Sequence, residues 1–143
     1  MYQRILVALE NGRADGVLVE HVRELALRLR SRVLLLHVAD GFAARNFDAL
    51  KLAESEEIRS DRAYLEKVAE GLREVGLEAG VHLAMGDPAR EILKTAEEQG
   101  CDLIAMGTHG HRFLGDLLHG STISEVRHKA SMPVLSVRMG RPA

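Results

Sequence analysis

Residues 102–126 read DLIAMGTHGHRFLGDLLHGSTISEV, and the fold turns on how this stretch is parsed. Its first five residues, DLIAM, form an apolar run of strand length that passes directly into Gly107-Thr108-His109-Gly110. Nine residues intervene before Gly120-Ser121-Thr122, and Thr122-Ile123-Ser124-Glu125 has capping-box spacing, so a helix is expected to open at Thr122. A continuous apolar run, unlike an alternating one, marks a strand buried on both faces. Strand, glycine turn and helix in this order make up half of a parallel βαβ unit.

The rest of the chain repeats that unit on both sides. Downstream, Pro133 to Arg138 (PVLSVR) reads as a further strand. Upstream, Asp87-Pro88 reads as the N-cap and first position of a helix that carries Ile92, Leu93 and Ala96 and stops at Gly100. Residues 81–85 form a weaker strand. A long helical pattern over 48–75 places Ile58, Leu65, Val68, Leu72 and Val75 on one face, with Gly76 as its stop. Residues 40–47 read as a loop. Residues 33–39 (VLLLHVA) and 5–9 (ILVAL) are two more buried-type strands, separated by a helix with Leu18, Val22, Leu25 and Leu29 on one stripe. Five strands thus alternate with four helices, which predicts an α/β fold: a parallel sheet with helices on both faces.

Composition bounds the function. At 143 residues the chain is expected to form one domain over 1–143, too short for an eight-unit barrel or a separate substrate lobe. Nineteen basic side chains against twenty-one acidic ones supply no basic face for nucleic acid, and two Tyr, three Phe and no Trp supply no stacking platform. The one cysteine, Cys101, excludes an internal disulfide and reads as a buried thiol. The apolar run 5–9 is too short for a signal-peptide core, and no run reaches the roughly 20 residues of a membrane span. The expectation is a soluble cytoplasmic protein with neither nucleic acid nor membrane as partner.

The chemistry concentrates in the glycines. In open α/β sheets ligands bind beyond the carboxyl ends of the strands. Glycines permit close backbone approach, and a helix N-terminus offers free N–H donors and the positive end of a dipole. Gly107 and Gly110 from one side, and Gly120, Ser121 and Thr122 from the other, can therefore close around a polyphosphate. Residues 115–122 (GDLLHGST) look like a Walker loop without its lysine and are read as overlap with the longer motif. His109, His111 and His119 have no carboxylate or cysteine at ligand spacing, so no metal site is expected. His37, on a buried-type strand, reads as a satisfied core histidine. No nucleophile elbow, zinc-protease helix or kinase loop is present, which favours binding over turnover.

The spacing G-x2-G-x9-G-[ST], met by Gly107, Gly110, Gly120 and Ser121, resembles the signature of the ATP-binding subclass of the universal stress protein family. The openings YQRILVALENG and LLHVAD, the segment GDPAREILKTAEEQGCDLIAMGTHGH and the end GSTISEVRHKASMPVLSVR are similar to the family as well, so the resemblance spans nearly the whole chain. It implies a single open sheet in order 3-2-1-4-5, of the Rossmann-like, adenine nucleotide alpha hydrolase-like kind. It also implies ATP as ligand, allows Mg²⁺ beside it, and implies a stress or signalling role as a homodimer paired through Pro133 to Arg138. The implied triphosphate contacts are Gly107, His109, Gly110, His111, Gly120, Ser121 and Thr122. The implied adenine and ribose contacts are Ala8, Leu9, Glu10, Val38 and Met106. Two positions depart from the pattern: Glu10 stands where ATP-binding members usually carry Asp, and His111 where many carry a basic residue. The alternatives are a dimeric interaction protein of the same fold that binds no nucleotide, and a slow ATPase.

Overall fold

The computed structural model describes residues 1–12, 14–40, 51–108 and 120–138. Along the chain run β1 (Arg4–Leu9), α1 (Asp15–Leu29), β2 (Arg32–Asp40), α2 (Lys51–Glu74), β3 (Ala79–Gly86), α3 (Pro88–Glu98), β4 (Leu103–Thr108), α4 (Gly120–Lys129) and β5 (Val134–Arg138). The strands form one five-stranded sheet in the order β3-β2-β1-β4-β5, and every neighbouring pair is parallel. This is the expected order. The expected loop over 40–47 falls outside the described residues, except that Asp40 is the last residue of β2.

The apolar runs are continuous because both faces of the central strands are covered. Ile5, Val7 and Leu9 of β1 join Val33 and Leu35 of β2 and Leu103 and Ala105 of β4 in one core. Leu18, Val22 and Ala26 of α1 and Leu65, Ala69 and Leu72 of α2 pack against that face. The alternate residues Leu6, Ala8, Leu34, Leu36, Val38, Ile104 and Met106 form the opposite core, covered by Ala89, Ile92 and Ala96 of α3 and Ile123 and Val126 of α4. Ile5, Leu6 and Val7 are fully buried. Each such side chain contributes roughly 1.5–3 kcal/mol, so a charge at any of them is incompatible with the sheet.

Local signals set most of the boundaries. Asp87 caps α3 by accepting from the Arg90 N–H at 3.0 Å, with Pro88 in the first turn. Gly76 and Gly100 follow α2 and α3 with φ of +96° and +66°, a left-handed conformation that stops a helix. Most strand ends shift by one residue from expectation, β4 runs two residues further, through Gly107 to Thr108, and two element starts differ for identifiable reasons. β3 begins at Ala79, because strand β2 pairs with Ala79 and Gly80 although neither carries a sequence signal. The described part of α4 opens at Gly120, so Thr122 lies inside the helix and is not its cap. Ile123 and Val126, three residues apart, face the core and fix the phase of the helix.

Asp102 ties the amino end of β1 to β4. Its Oδ2 accepts from the Gln3 N–H and its Oδ1 from the Arg4 N–H, each at 2.9 Å. Partial burial pushes its pKa up, but the Arg4 and Gln3 amides outweigh that and hold it below the ordinary carboxylate value. A carboxyl whose pKa is depressed on folding contributes stability above its unfolded value and loses it as the pH falls through the folded one. Replacement Asp102→Asn is expected to cost about 1 kcal/mol at neutral pH in urea unfolding, discounted for solvent screening. The difference from wild type should shrink as the pH falls below about 4.

Candidate functional site

The direction of winding reverses at β1. The chain leaves β1 for β2 on one side, and later returns from β3 to place β4 on the other. Connections on the two sides depart to opposite faces, the arrangement in which open α/β sheets form a crevice beyond the carboxyl ends of the strands at the reversal, here β1 and β4. The residues that follow β1, the end of β4 and the first turn of α4 belong to this end of the sheet.

Strand alternation sorts the expected contacts. Ala8, Val38 and Met106 are 3%, 6% and 0% exposed and lie in the single core shared with α3 and α4. β1 pairs with both β2 and β4, which brings these three residues from distant parts of the sequence into one core, with Ala8 opposite Leu36 and Val38 opposite Ala84. Ala89 of α3 and Ile123 of α4 join the same core. Leu9 does not: its side chain is packed in the opposite core with α1 and α2. Gly107 continues β4 in register with Val137. Gly120, Ser121 and Thr122 are the first three described residues of α4. His109, Gly110, His111 and His119 lie outside the described residues. Among the described residues no group of three or more His, Cys, Asp or Glu is placed to hold a metal ion.

Glu10 immediately follows β1, and its Oε1 is buried. Its backbone N–H donates to Asp15 Oδ1 at 2.9 Å. Asp15, only 2% exposed, also accepts at Oδ2 from the Gly12 N–H at 3.1 Å and from the Tyr64 hydroxyl at 2.9 Å. A buried carboxylate is tolerable because three donors satisfy it. Burial pushes the Tyr64 pKa far up, and the Asp15 charge and hydrogen bond add to the rise, so Tyr64 remains a neutral donor at physiological pH. Asn11 adopts φ of +60°, a conformation that asparagine tolerates better than most residues, and its Nδ2 donates to Asp61 Oδ1 at 2.9 Å.

His37 is the satisfied core histidine that its strand position suggested. It is 4% exposed, and its Nδ1 lies 3.0 Å from the Leu9 carbonyl oxygen. A carbonyl only accepts, so Nδ1 carries the proton. Its Nε2 lies 3.7 Å from Asp61 Oδ2. Sequence reasoning missed Asn11, Asp15, Asp61 and Tyr64. The available signals were an acidic residue in the first turn of a helix and a tyrosine on the apolar stripe of α2, and neither is distinctive alone.

The fold and this crevice define a doubly wound α/β domain of the class that takes its ligand where the strand order reverses. The chain belongs to the universal stress protein family, whose model matches residues 1–138. It is 28% identical over 155 residues to universal stress protein MJ0577 of Methanocaldococcus jannaschii, with 96% of each chain covered. The solved structure of that protein superposes with a TM-score of 0.82 and covers 99% of both chains. A universal stress protein of Methanothermobacter thermautotrophicus is 31% identical over 146 residues, covering 96% of this chain and 97% of its own. A universal stress protein from Archaeoglobus fulgidus, solved in complex with dAMP, shares the fold at 24% identity, with a TM-score of 0.71 over 95% of this chain and 98% of its own.

Cys101 is 5% exposed, and burial pushes its thiol pKa up, opposed in part by Arg4. The thiolate is the reactive form. Modification of the native protein by an aromatic disulfide reagent at pH 8 should therefore be at least about tenfold slower than in the urea-unfolded chain.

Proposed function

We propose that this universal stress protein binds ATP, together with Mg²⁺, in the crevice between β1 and β4, and works as a cytoplasmic homodimer in stress response or signalling. The observation that carries the reading is that Ala8, Val38 and Met106 share one buried apolar core beside the point where the strand order reverses, on the face covered by α3 and α4. An adenine ring needs an apolar wall with few polar groups. A triphosphate needs N–H donors and a positive dipole end, which the first turn of α4 offers. In this reading Gly107, His109, Gly110, His111, Gly120, Ser121 and Thr122 carry the phosphates, and the Glu10 carboxylate meets a ribose hydroxyl. The dAMP complex of the Archaeoglobus fulgidus relative supports an adenine nucleotide as the ligand class. No described helix is long and apolar enough to cross a membrane, which accords with a cytoplasmic role. The longer Glu10 in place of Asp favours one other reading, an interaction protein of the same fold that takes no nucleotide.

Calorimetric titration with ATP and Mg²⁺ is expected to show saturable binding, which Gly120→Val removes while the circular dichroism stays unchanged. A wild-type protein that binds no ATP up to millimolar concentration would overturn the proposal. With two Tyr and no Trp, the protein absorbs weakly at 280 nm, so copurified adenine would show directly in the 260 nm absorbance.

β5 lies at the end of the sheet, and its Val134, Leu135 and Val137 are only half-buried. Such an edge invites pairing with a second copy. Light scattering should give twice the chain mass; a monomer at all concentrations would rule out the homodimer.

A further inference from the structure

Four consecutive residues after the middle of β1 are each held by a polar side chain. The Leu9 carbonyl accepts from His37, the Glu10 N–H donates to Asp15, the Asn11 amide donates to Asp61, and the Gly12 N–H donates to Asp15. Two of these holders are in turn set by α2. Tyr64 donates to Asp15, and Asp61 faces both Asn11 and His37. Asp61 and Tyr64 are three residues apart on one helix, hence on one face of it. α2 packs on the face of the sheet opposite the core that holds Ala8, Val38 and Met106.

Packing alone does not require these bonds. Leu65, Ala69 and Leu72 already seat α2 on the sheet. The polar groups gather at one end, on the one loop that carries Glu10. If that loop swung away, the Asp15 carboxylate would lose its amide donors while still buried, which is strongly unfavourable. The loop is therefore fixed before any ligand arrives, as a preorganised site requires.

We infer that α2 positions the ribose side of the nucleotide site from behind the sheet, with Asp61 and Tyr64 as positioning residues that act on Glu10 through Asn11 and Asp15. This inference rests on the nucleotide reading above. Neither residue touches the ligand. Their effect is to hold the Glu10 carboxylate where a ribose hydroxyl can donate to it. A hydrogen bond to a charged group discriminates strongly against a ligand that lacks the donor.

The test compares ATP with 2′,3′-dideoxy-ATP, which lacks both hydroxyls. Wild type is expected to prefer ATP by at least about tenfold. Tyr64→Phe and Asp61→Ala should each reduce that preference to below about threefold, while affinity for the dideoxy nucleotide stays within about twofold. Asp61→Asn keeps an acceptor for Asn11 and should recover most of the preference. Equal losses for both nucleotides, or an unchanged preference, would overturn the inference, since a merely structural role moves the two affinities together. Amide exchange followed by NMR supplies a second measurement without ligand. Tyr64→Phe should speed exchange of the Glu10 and Gly12 amides with the remaining β1 amides unaffected, and unaltered protection counts against the inference. If wild type binds neither nucleotide, the proposed function fails and the ribose role fails with it. The exchange data still decide whether α2 holds the loop.

Discussion

Strand β1 has neighbours on both edges and helices on both faces, and the rest of the structure is arranged around that confinement. Its backbone pairs with β2 on one side and β4 on the other, and Ile5, Leu6 and Val7 have no exposed surface. A strand so enclosed cannot slip by one residue without sending each side chain into the wrong core. The same strand is where the winding direction reverses, so its carboxyl end is the one place at which the covering connections must part. Confinement of β1 and the opening beside its end are two consequences of one topology.

Two kinds of information were needed to reach the structure, and only one is local in sequence. Runs such as ILVAL, VLLLHVA and DLIAM announce doubly buried strands, and a cap such as Asp87-Pro88 announces a helix, because each signal lies within a few residues. β3 shows where this stops: its burial alternates weakly, and Ala79 and Gly80 belong to it only because β2 supplies partners. α4 shows the reverse limit. The Thr122–Glu125 spacing fits a capping pattern, yet Gly120 and Ser121 are already helical, so Thr122 lies inside the helix that packs Ile123 and Val126 into the core.

The candidate site divides the same way. Family likeness points to Ala8, Val38 and Met106, and strand alternation places them on one face. Leu9 came from the same likeness, but alternation sends its side chain to the other core. The polar set behind the loop was illegible, because its bonds join residues such as Asn11 with Asp61 and Tyr64 with Asp15, 50 and 49 positions apart. No short window contains such a pair, and charged or aromatic residues on a helix are common enough to pass unnoticed singly.

The two cores flanking β1 carry different chemistry at the same end of the sheet. On the α3–α4 side the core is aliphatic with Met106 and Cys101, and among the described residues it holds no buried charge. On the α1–α2 side, the buried polar residues Asp15 and His37 hold the backbone at and just after the carboxyl end of β1. A charge buried beneath an adenine-sized apolar surface would need partners that a departing ligand uncovers, and would be left unsatisfied on each release. Placed behind the sheet, the same charge keeps its donors whether or not the crevice is filled. In the proposed nucleotide reading this separation would let the crevice exchange its occupant while the loop beside it stays fixed, and a parallel sheet covered on both faces is what makes that separation available.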